Sequence, residues 1–311
     1  MNVVFLGSGA LACPILSALL DSPSDRVVGV VTQPDRPKGR HLQLSSCPVK
    51  EQVRNAGVPV LTPERIGAPE TVEAIRAWKP ELLVVAAYGQ FLTRPLLEMP
   101  PVACLNVHPS LLPKYRGAAP IQWAIAHGDE VTGVSILHMT ARMDAGDLIL
   151  QEPMRLGPDE TAATLEPRLA AAGAALLLQV LDALRSGTAS RIPQDESAVV
   201  LAPKLTRADA RVDWMRSAKA IRDRVRGFSP WPGSVCEAPA GSGRMLKLQK
   251  VQWLPGRGEP GDILSIGAGD PVVATGGGAL RLEIVQPEGG RPMRGEEYAH
   301  GARWVPGLRL G

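Results

Sequence analysis

Residues 102–113 read Val102-Ala-Cys-Leu-Asn106-Val-His108-Pro-Ser-Leu-Leu-Pro113, an apolar run that ends in two polar side chains and then breaks on prolines. Such a run, bounded by turn residues, predicts a buried strand. Strand positions i and i+2 project from one face, so the Asn106 amide and the His108 imidazole point together into one cleft. A second apolar strand, Val131 to Met139, runs into Ala141-Arg-Met-Asp144-Ala-Gly-Asp147, a loop whose carboxylate can orient the imidazole. The amide can donate to a developing oxyanion without titrating. The imidazole changes charge near neutral pH, and the acid fixes its tautomer and stabilises its charged form. An amide, an imidazole and an acid suit transfer of an acyl group to a nucleophile that arrives with the substrate.

Outward from this strand, the first two-thirds of the chain alternate strand and helix patterns. Asn2–Leu6, Arg26–Thr32, Val58–Leu61, Glu81–Ala87, Val102–Val107 and Val131–Met139 read as strands. Leu11–Leu20, Pro48–Ala56, Pro69–Trp78, Pro120–Ala126 and the alanine-rich Ala162–Leu184 read as helices. The alternation predicts an α/β fold, a doubly wound and mostly parallel sheet with helices on both faces. In such sheets the crevice lies beyond the carboxyl ends of the strands, where Asn106, His108 and Asp144 are expected.

After Gly187 the pattern changes. Residues 190–207 have little periodicity and read as a linker between a domain over 1–189 and another over 208–311. Trp214 to Val225 reads as a basic helix. Five short β-like runs follow between Gly- and Pro-rich turns: Ser234–Glu237, Met245–Trp253, Asp262–Ile266, Val272–Thr275 and Leu280–Val285. That spacing predicts a small antiparallel, OB-like β-barrel.

Length and charge agree with two domains. At 311 residues the chain exceeds the size at which one core keeps growing. Residues 1–203 carry 17 Lys and Arg against 20 Asp and Glu, and residues 204–311 carry 17 against 11. The balance therefore moves from −3 to +6, which suggests that the second part meets a polyanion; a basic surface kept for solubility gives the same balance. The four cysteines are scattered, without paired spacing, and fit a reducing cytoplasm. His41, His127, His138 and His300 show no ligand spacing, so no metal is expected. The apolar start Val3 to Leu20 lacks a basic flank and is broken by Gly7 and Gly9, so it reads as strand and helix rather than a signal peptide. No later segment reads as membrane-spanning.

Gly7-Ser-Gly9-Ala-Leu-Ala12 fits a dinucleotide fingerprint by letter. The acid such a site needs about twenty residues on has only Asp35 as candidate, among prolines. A tight turn that allows close packing explains the glycines as well. Ser110, beside His108, lacks the glycine pattern of a nucleophile elbow.

The run Asn106-Val-His108-Pro-Ser-Leu-Leu-Pro113 through Asp144-Ala-Gly-Asp147 resembles the catalytic segment of enzymes that take a formyl group from 10-formyltetrahydrofolate. The resemblance implies that Asn106, His108 and Asp144 are catalytic, and that Ser110, Leu111, Leu112 and Pro113 contact the folate. Thr32-Gln-Pro-Asp-Arg36-Pro-Lys38-Gly-Arg40 is similar to the loop with which methionyl-tRNA formyltransferases reach the tRNA acceptor end, which assigns Arg36, Lys38 and Arg40 to tRNA. Ile221-Arg222-Asp-Arg-Val-Arg226-Gly-Phe-Ser-Pro-Trp-Pro-Gly233 resembles the opening of that family's carboxyl-terminal domain, which adds Arg222 and Arg226. The chain departs from the family's usual Gly-Thr-Pro turn at residues 7–11, where no site is assigned. The implied activity is formylation of initiator methionyl-tRNA by a cytoplasmic monomer, with 10-formyltetrahydrofolate as co-substrate and no membrane partner. The rivals are a folate-dependent formyltransferase of a small amine, an NAD-dependent oxidoreductase resting on the glycine turn, and a nucleic-acid-binding protein with an inactive first domain.

Overall fold

The computed structural model describes residues 1–38, 43–266 and 269–311, so Arg40 lies outside the described residues. The chain divides into two compact units. Unit one comprises Met1–Pro120, Val131–Arg155 and Glu166–Ala202; unit two comprises Ile121–Glu130, Leu156–Leu165 and Pro203–Gly311.

The strands of unit one are β1 (Asn2–Gly7), β2 (Arg26–Val31), β3 (Arg36–Lys38), β4 (Gln43–Ser45), β5 (Val60–Leu61), β6 (Leu82–Ala86), β7 (Ala103–His108), β8 (Arg116–Gly117), β9 (Val131–His138), β10 (Leu148–Arg155) and β11 (Leu201–Ala202). Seven form one sheet in the order β10-β9-β7-β6-β1-β2-β5. The pairs among β5, β2, β1, β6 and β7 are parallel. Every residue of β6 is buried, which is why this strand reads as an unbroken apolar run. The helices are α1 (Ala12–Leu20), α2 (Pro48–Val53), α3 (Pro69–Ala77), α4 (Arg94–Leu97), α5 (Pro120–Ala126), which falls almost wholly in unit two, and α6 (Ala162–Ser186).

Two strands at one end of the sheet differ from the sequence reading. β9 pairs antiparallel with β7, Leu105 opposite His138 and His108 opposite Ser135. β10, which the apolar pattern did not reveal, pairs antiparallel with β9. Only residues 139–147 join β9 to β10, too few for the crossover that a parallel pair needs. Asp144 therefore does not lie beyond a parallel strand end. Its loop folds back, with the His138 N–H donating to Asp147 O at 2.9 Å, and carries the carboxylate to β7.

The stretch read as a linker follows unit one as far as Ala202. Ile192 and Leu148 exchange backbone bonds of 2.8 and 2.9 Å, and β11 pairs with β8. Contrary to the sequence reading, α6 is long and apolar enough to cross a membrane by length and composition. Its Leu165, Leu169, Leu176, Leu177, Val180 and Leu181 are buried within the protein.

In unit two, α7 (Ala218–Gly227) starts four residues later than the sequence suggested, because Ser217 caps it through Oγ to the Ala220 N–H, while Trp214 is buried in the core. The strands β12 (Ser234–Glu237), β13 (Met245–Leu254), β14 (Ile263–Ser265), β15 (Val272–Ala274), β16 (Ala279–Pro287) and β17 (Met293–Arg294) form an antiparallel sheet in the order β12-β13-β16-β15-β14, with β17 also on β16. Register shifts in β13 near Lys250 mark the bulges that bend a sheet of this size toward a barrel. Helix α8 (Gly295–Gly301) follows. Trp214, Ile221, Val225, Leu246, Leu248, Leu280 and Leu282 belong to one apolar cluster.

Candidate active site

Alternation along β7 places Cys104, Asn106 and His108 on one face. The Asn106 Nδ2 donates to Asp144 Oδ1 at 3.1 Å, and the Gly117 N–H donates to Asp144 Oδ2 at 2.9 Å. Asp144 sits at φ +49°, a left-handed conformation that Asp tolerates better than most side chains and that often marks functional loops. The two groups expected from one strand and the acid expected from a distant loop thus meet.

One contact differs from expectation. His108 Nε2 lies 2.9 Å from Tyr115 O, so that nitrogen carries the hydrogen and the carbonyl fixes the tautomer. Asp144 Oδ2 lies 3.7 Å from His108 Nδ1, an ion-pair separation beyond hydrogen-bond reach. The neutral ring satisfies the Tyr115 carbonyl alone; with both nitrogens protonated, the ring also has a proton directed at the carboxylate. Both side chains are shielded, His108 at 5% exposure and Asp144 at 13%.

Sequence reasoning missed the groups that hold this constellation. Tyr115 and Gly117 act through their backbones, which leave no mark in side-chain chemistry. Gln194 donates to Asp144 O at 2.7 Å and Gly146 O at 2.8 Å from the far end of the unit's sequence.

Beside the trio lies a cavity of about 310 Å³, lined by Leu97, Val102, Cys104, Met139, Thr140, Ala145, Gly146, Asp147 and Arg191 among others. Cys104 shares the strand face of Asn106, and Ala145 to Asp147 follow Asp144; Asn106, His108 and Asp144 themselves do not line the cavity. His138 also lines it; burial holds its imidazole below the usual histidine range, reinforced by the Arg191 charge. Of the predicted folate turn, Ser110 is fully buried with its Oγ donating to Lys114 O, and Leu112 packs with Leu137 and Leu148. Leu111 and Pro113 are half-buried.

The glycine turn is occupied by the protein itself. The Ser8 and Gly9 N–H groups both donate to Ala87 O at 3.2 Å, and the Leu11 N–H donates to Glu166 Oε1 at 3.1 Å. A carboxylate stands at the start of α1, where a dinucleotide pyrophosphate would have to bind. The turn is structural. Among the described residues no cluster of His, Cys, Asp and Glu is arranged to hold a metal.

The predicted RNA contacts divide. Arg36 is 61% exposed and pairs with Glu64 at 2.9 Å, and Lys38 ends β3. Arg222 is bonded to Pro158 O and Asp159, and Arg226 to Asp223, Gly157 O and Glu160 O, so both are largely buried struts of unit two. Arg224 is stacked on Trp123 and Phe228. The exposed cations here are Arg216, just before α7, and Lys219 in its first turn.

The fold and the clustering of an amide, an imidazole and a carboxylate at one strand end are those of a group transferase. The chain belongs to the formyl transferase family: residues 1–181 match its formyl transferase domain and residues 204–303 its formyl transferase C-terminal domain. It is 42% identical over 311 residues to the methionyl-tRNA formyltransferase of Geobacter metallireducens, covering all of this chain and 99% of that protein. Among solved structures it resembles the N-formyltransferase of Helicobacter canadensis, solved with folinic acid and dTDP-3-aminofucose, at a TM-score of 0.64 and 14% identity over 91% of this chain and 99% of that one. It also resembles HypX of Aquifex aeolicus, solved with tetrahydrofolic acid, at a TM-score of 0.61 and 18% identity over 96% of this chain and 47% of that longer one.

Proposed function

We propose that the protein transfers the formyl group of 10-formyltetrahydrofolate to the α-amine of methionine esterified to initiator tRNA, giving the formylated aminoacyl-tRNA that starts translation. The full-length 42% identity to a methionyl-tRNA formyltransferase carries this reading, since it runs through the formyl transferase C-terminal domain as well as the catalytic one. The methionine nitrogen attacks the formyl carbon, and the carbonyl becomes an oxyanion. Asn106 Nδ2 has two hydrogens; one goes to Asp144, and the second is available for that oxyanion. The bond from the formyl carbon to folate N10 then breaks, and the proton lost by the amine ends on N10. His108 carries that proton at Nδ1, 3.7 Å from Asp144 Oδ2. No covalent enzyme intermediate is needed.

The cavity beside Asn106 takes the flat ring of the folate. Its lining sets Leu97, Val102 and Met139 beside the polar atoms of Thr140, Asp147 and Arg191, which suits an amino-oxo heterocycle, and its volume lies in the range of small-ligand sites. The turn at Ser110, Leu111, Leu112 and Pro113 supports this region from behind rather than through the buried Ser110 hydroxyl. Arg36, Lys38 and Arg40 position the acceptor end, and exposed cations of unit two grip phosphates. All three proposed catalytic groups come from one chain, which supports a monomer, and the free cysteines and the tRNA substrate support a cytoplasmic setting.

The test offers 10-formyltetrahydrofolate with a panel of amines: methionyl initiator tRNA, elongator aminoacyl-tRNAs, free methionine, amino sugar nucleotides and glycinamide ribonucleotide. Formylation confined to methionyl-tRNA is expected. Equal turnover of a small amine would move the reading to the rival substrate class.

A further inference from the structure

The segment Arg191–Ala202 crosses unit one at the catalytic loop. At one end Ile192 is bonded to Leu148 of β10, and at the other β11 pairs with β8. Between these anchors, the Gln194 Nε2 donates to both Asp144 O and Gly146 O, the two carbonyls that bracket the left-handed turn of the catalytic acid. Its Oε1 is held from the other side by the Arg116 guanidinium, from Nε at 3.0 Å and Nη2 at 2.8 Å. Arg116 is 5% exposed and is neutralised by Glu196, whose second partner is Arg142. The Arg116 guanidinium beside Glu196 holds that carboxyl below the usual carboxylate range, so the pair persists at neutral pH.

Arg116 sits between the two backbone groups that touch the acid–base pair. Tyr115 O accepts from His108 Nε2, and the Gly117 N–H donates to Asp144 Oδ2. One side-chain amide therefore joins three things: the backbone of the acid, the segment that fixes the histidine tautomer, and the segment that holds the carboxylate. An amide has the matched donor and acceptor that this place requires. No charged or purely accepting group can serve both sides.

We propose that Gln194 is a positioning residue: it locks the Asp144 turn to the 115–117 segment and so sets the separation between His108 Nδ1 and Asp144. The kinetic part of this inference rests on the formyl-transfer reading; the geometric part does not. The test therefore uses two readouts on the full-length protein. Side-chain nitrogen NMR follows the pH titration of His108, identified by its loss in His108→Ala. Steady-state kinetics measures kcat and both KM values.

Gln194→Ala removes both contacts. Gln194→Glu keeps the size and the acceptor toward Arg116 but replaces the donor facing two carbonyls, and it covers the case in which the alanine variant fails to fold. Both are expected to shift the His108 titration. Both should lower kcat by about 10- to 100-fold, with KM for each substrate changed by about twofold or less. A His108 titration identical to wild type in both variants would overturn the proposal even if no substrate were known. Wild-type kcat in either variant would overturn it as well. An inactive wild-type protein with the titration shift present would instead count against the formyl-transfer reading alone.

Discussion

The Asn106 amide gives one hydrogen to Asp144 and has a second available for the proposed oxyanion, which makes it the sharpest test at the residue scale. Asn106→Ala is expected to fold normally and to lose about 2.7–4 kcal/mol of transition-state stabilisation, read as a fall in kcat. His108→Ala and Asp144→Ala should each be severely impaired, and the double variant little worse than either, because the groups act as one unit. Summed barrier increases in the double variant would mean independent roles. His138, lining the cavity, gives a pH signature: its folded pKa lies below 6.5, so the unfolded chain binds more protons as pH falls through 6.5 toward that lower value. Its stabilising contribution is complete above pH 6.5 and is lost below. The Tm of wild type should drop over that window, and that of His138→Gln should drop less; parallel melting curves would contradict the assignment. Asn106, His108 and Asp144 were legible because strand spacing and side-chain chemistry announce them. Tyr115, Gly117 and Gln194 were not, since two act through backbone atoms and the third is held by a partner 78 residues away in sequence.

At the scale of elements, long apolar strands and helices could be read within a residue or two, because burial on both faces leaves unbroken runs. The two-residue strands β8 and β11 are too short to carry a periodicity, yet they frame the site. Gly117 shows why their register is strict. At φ +134°, a Cβ there would lie 2.4 Å from Ala202 O, the carbonyl that accepts the Ala118 N–H. Gly117→Ala is expected to cost on the order of 1–3 kcal/mol in denaturant unfolding, and to lower kcat through the displaced Asp144 contact. Full activity and stability would show that the pairing is loose. The antiparallel β9–β10 hairpin was not anticipated because its residues are apolar on only part of their length and the connecting loop was read for chemistry, not for direction.

For the whole molecule, the charge split of the sequence, −3 against +6, falls at residue 204, and Asp129, Glu130, Asp159 and Glu160 bring the balance of unit two down to +2, so the split says little about which cations face outward. A run of arginines on one helix looks like a phosphate grip; in α7, Arg222 and Arg226 instead hold the loop at Gly157–Glu160. Arg222→Gln and Arg226→Gln are therefore expected to lower the melting temperature. Arg216→Gln with Lys219→Gln should leave stability unchanged and flatten the salt dependence of kcat/KM for tRNA, since fewer counterions are released. The reverse pattern would restore the arginines to the RNA. Residues 121–130 and 156–165 belong to unit two, and Trp123 packs edge-on against Phe228 at 5.4 Å, so truncation after residue 203 would strip a core rather than remove a module.

Direct passage of one formyl group from folate to an aminoacyl-tRNA is tested by a single-turnover reaction of the full chain with formyl-labelled 10-formyltetrahydrofolate and methionyl initiator tRNA. Label is expected in N-formylmethionine released from the tRNA, with one tetrahydrofolate formed for each and no labelled protein at any time. Label that stays as free formate, or tetrahydrofolate formed without formylated tRNA, would contradict it.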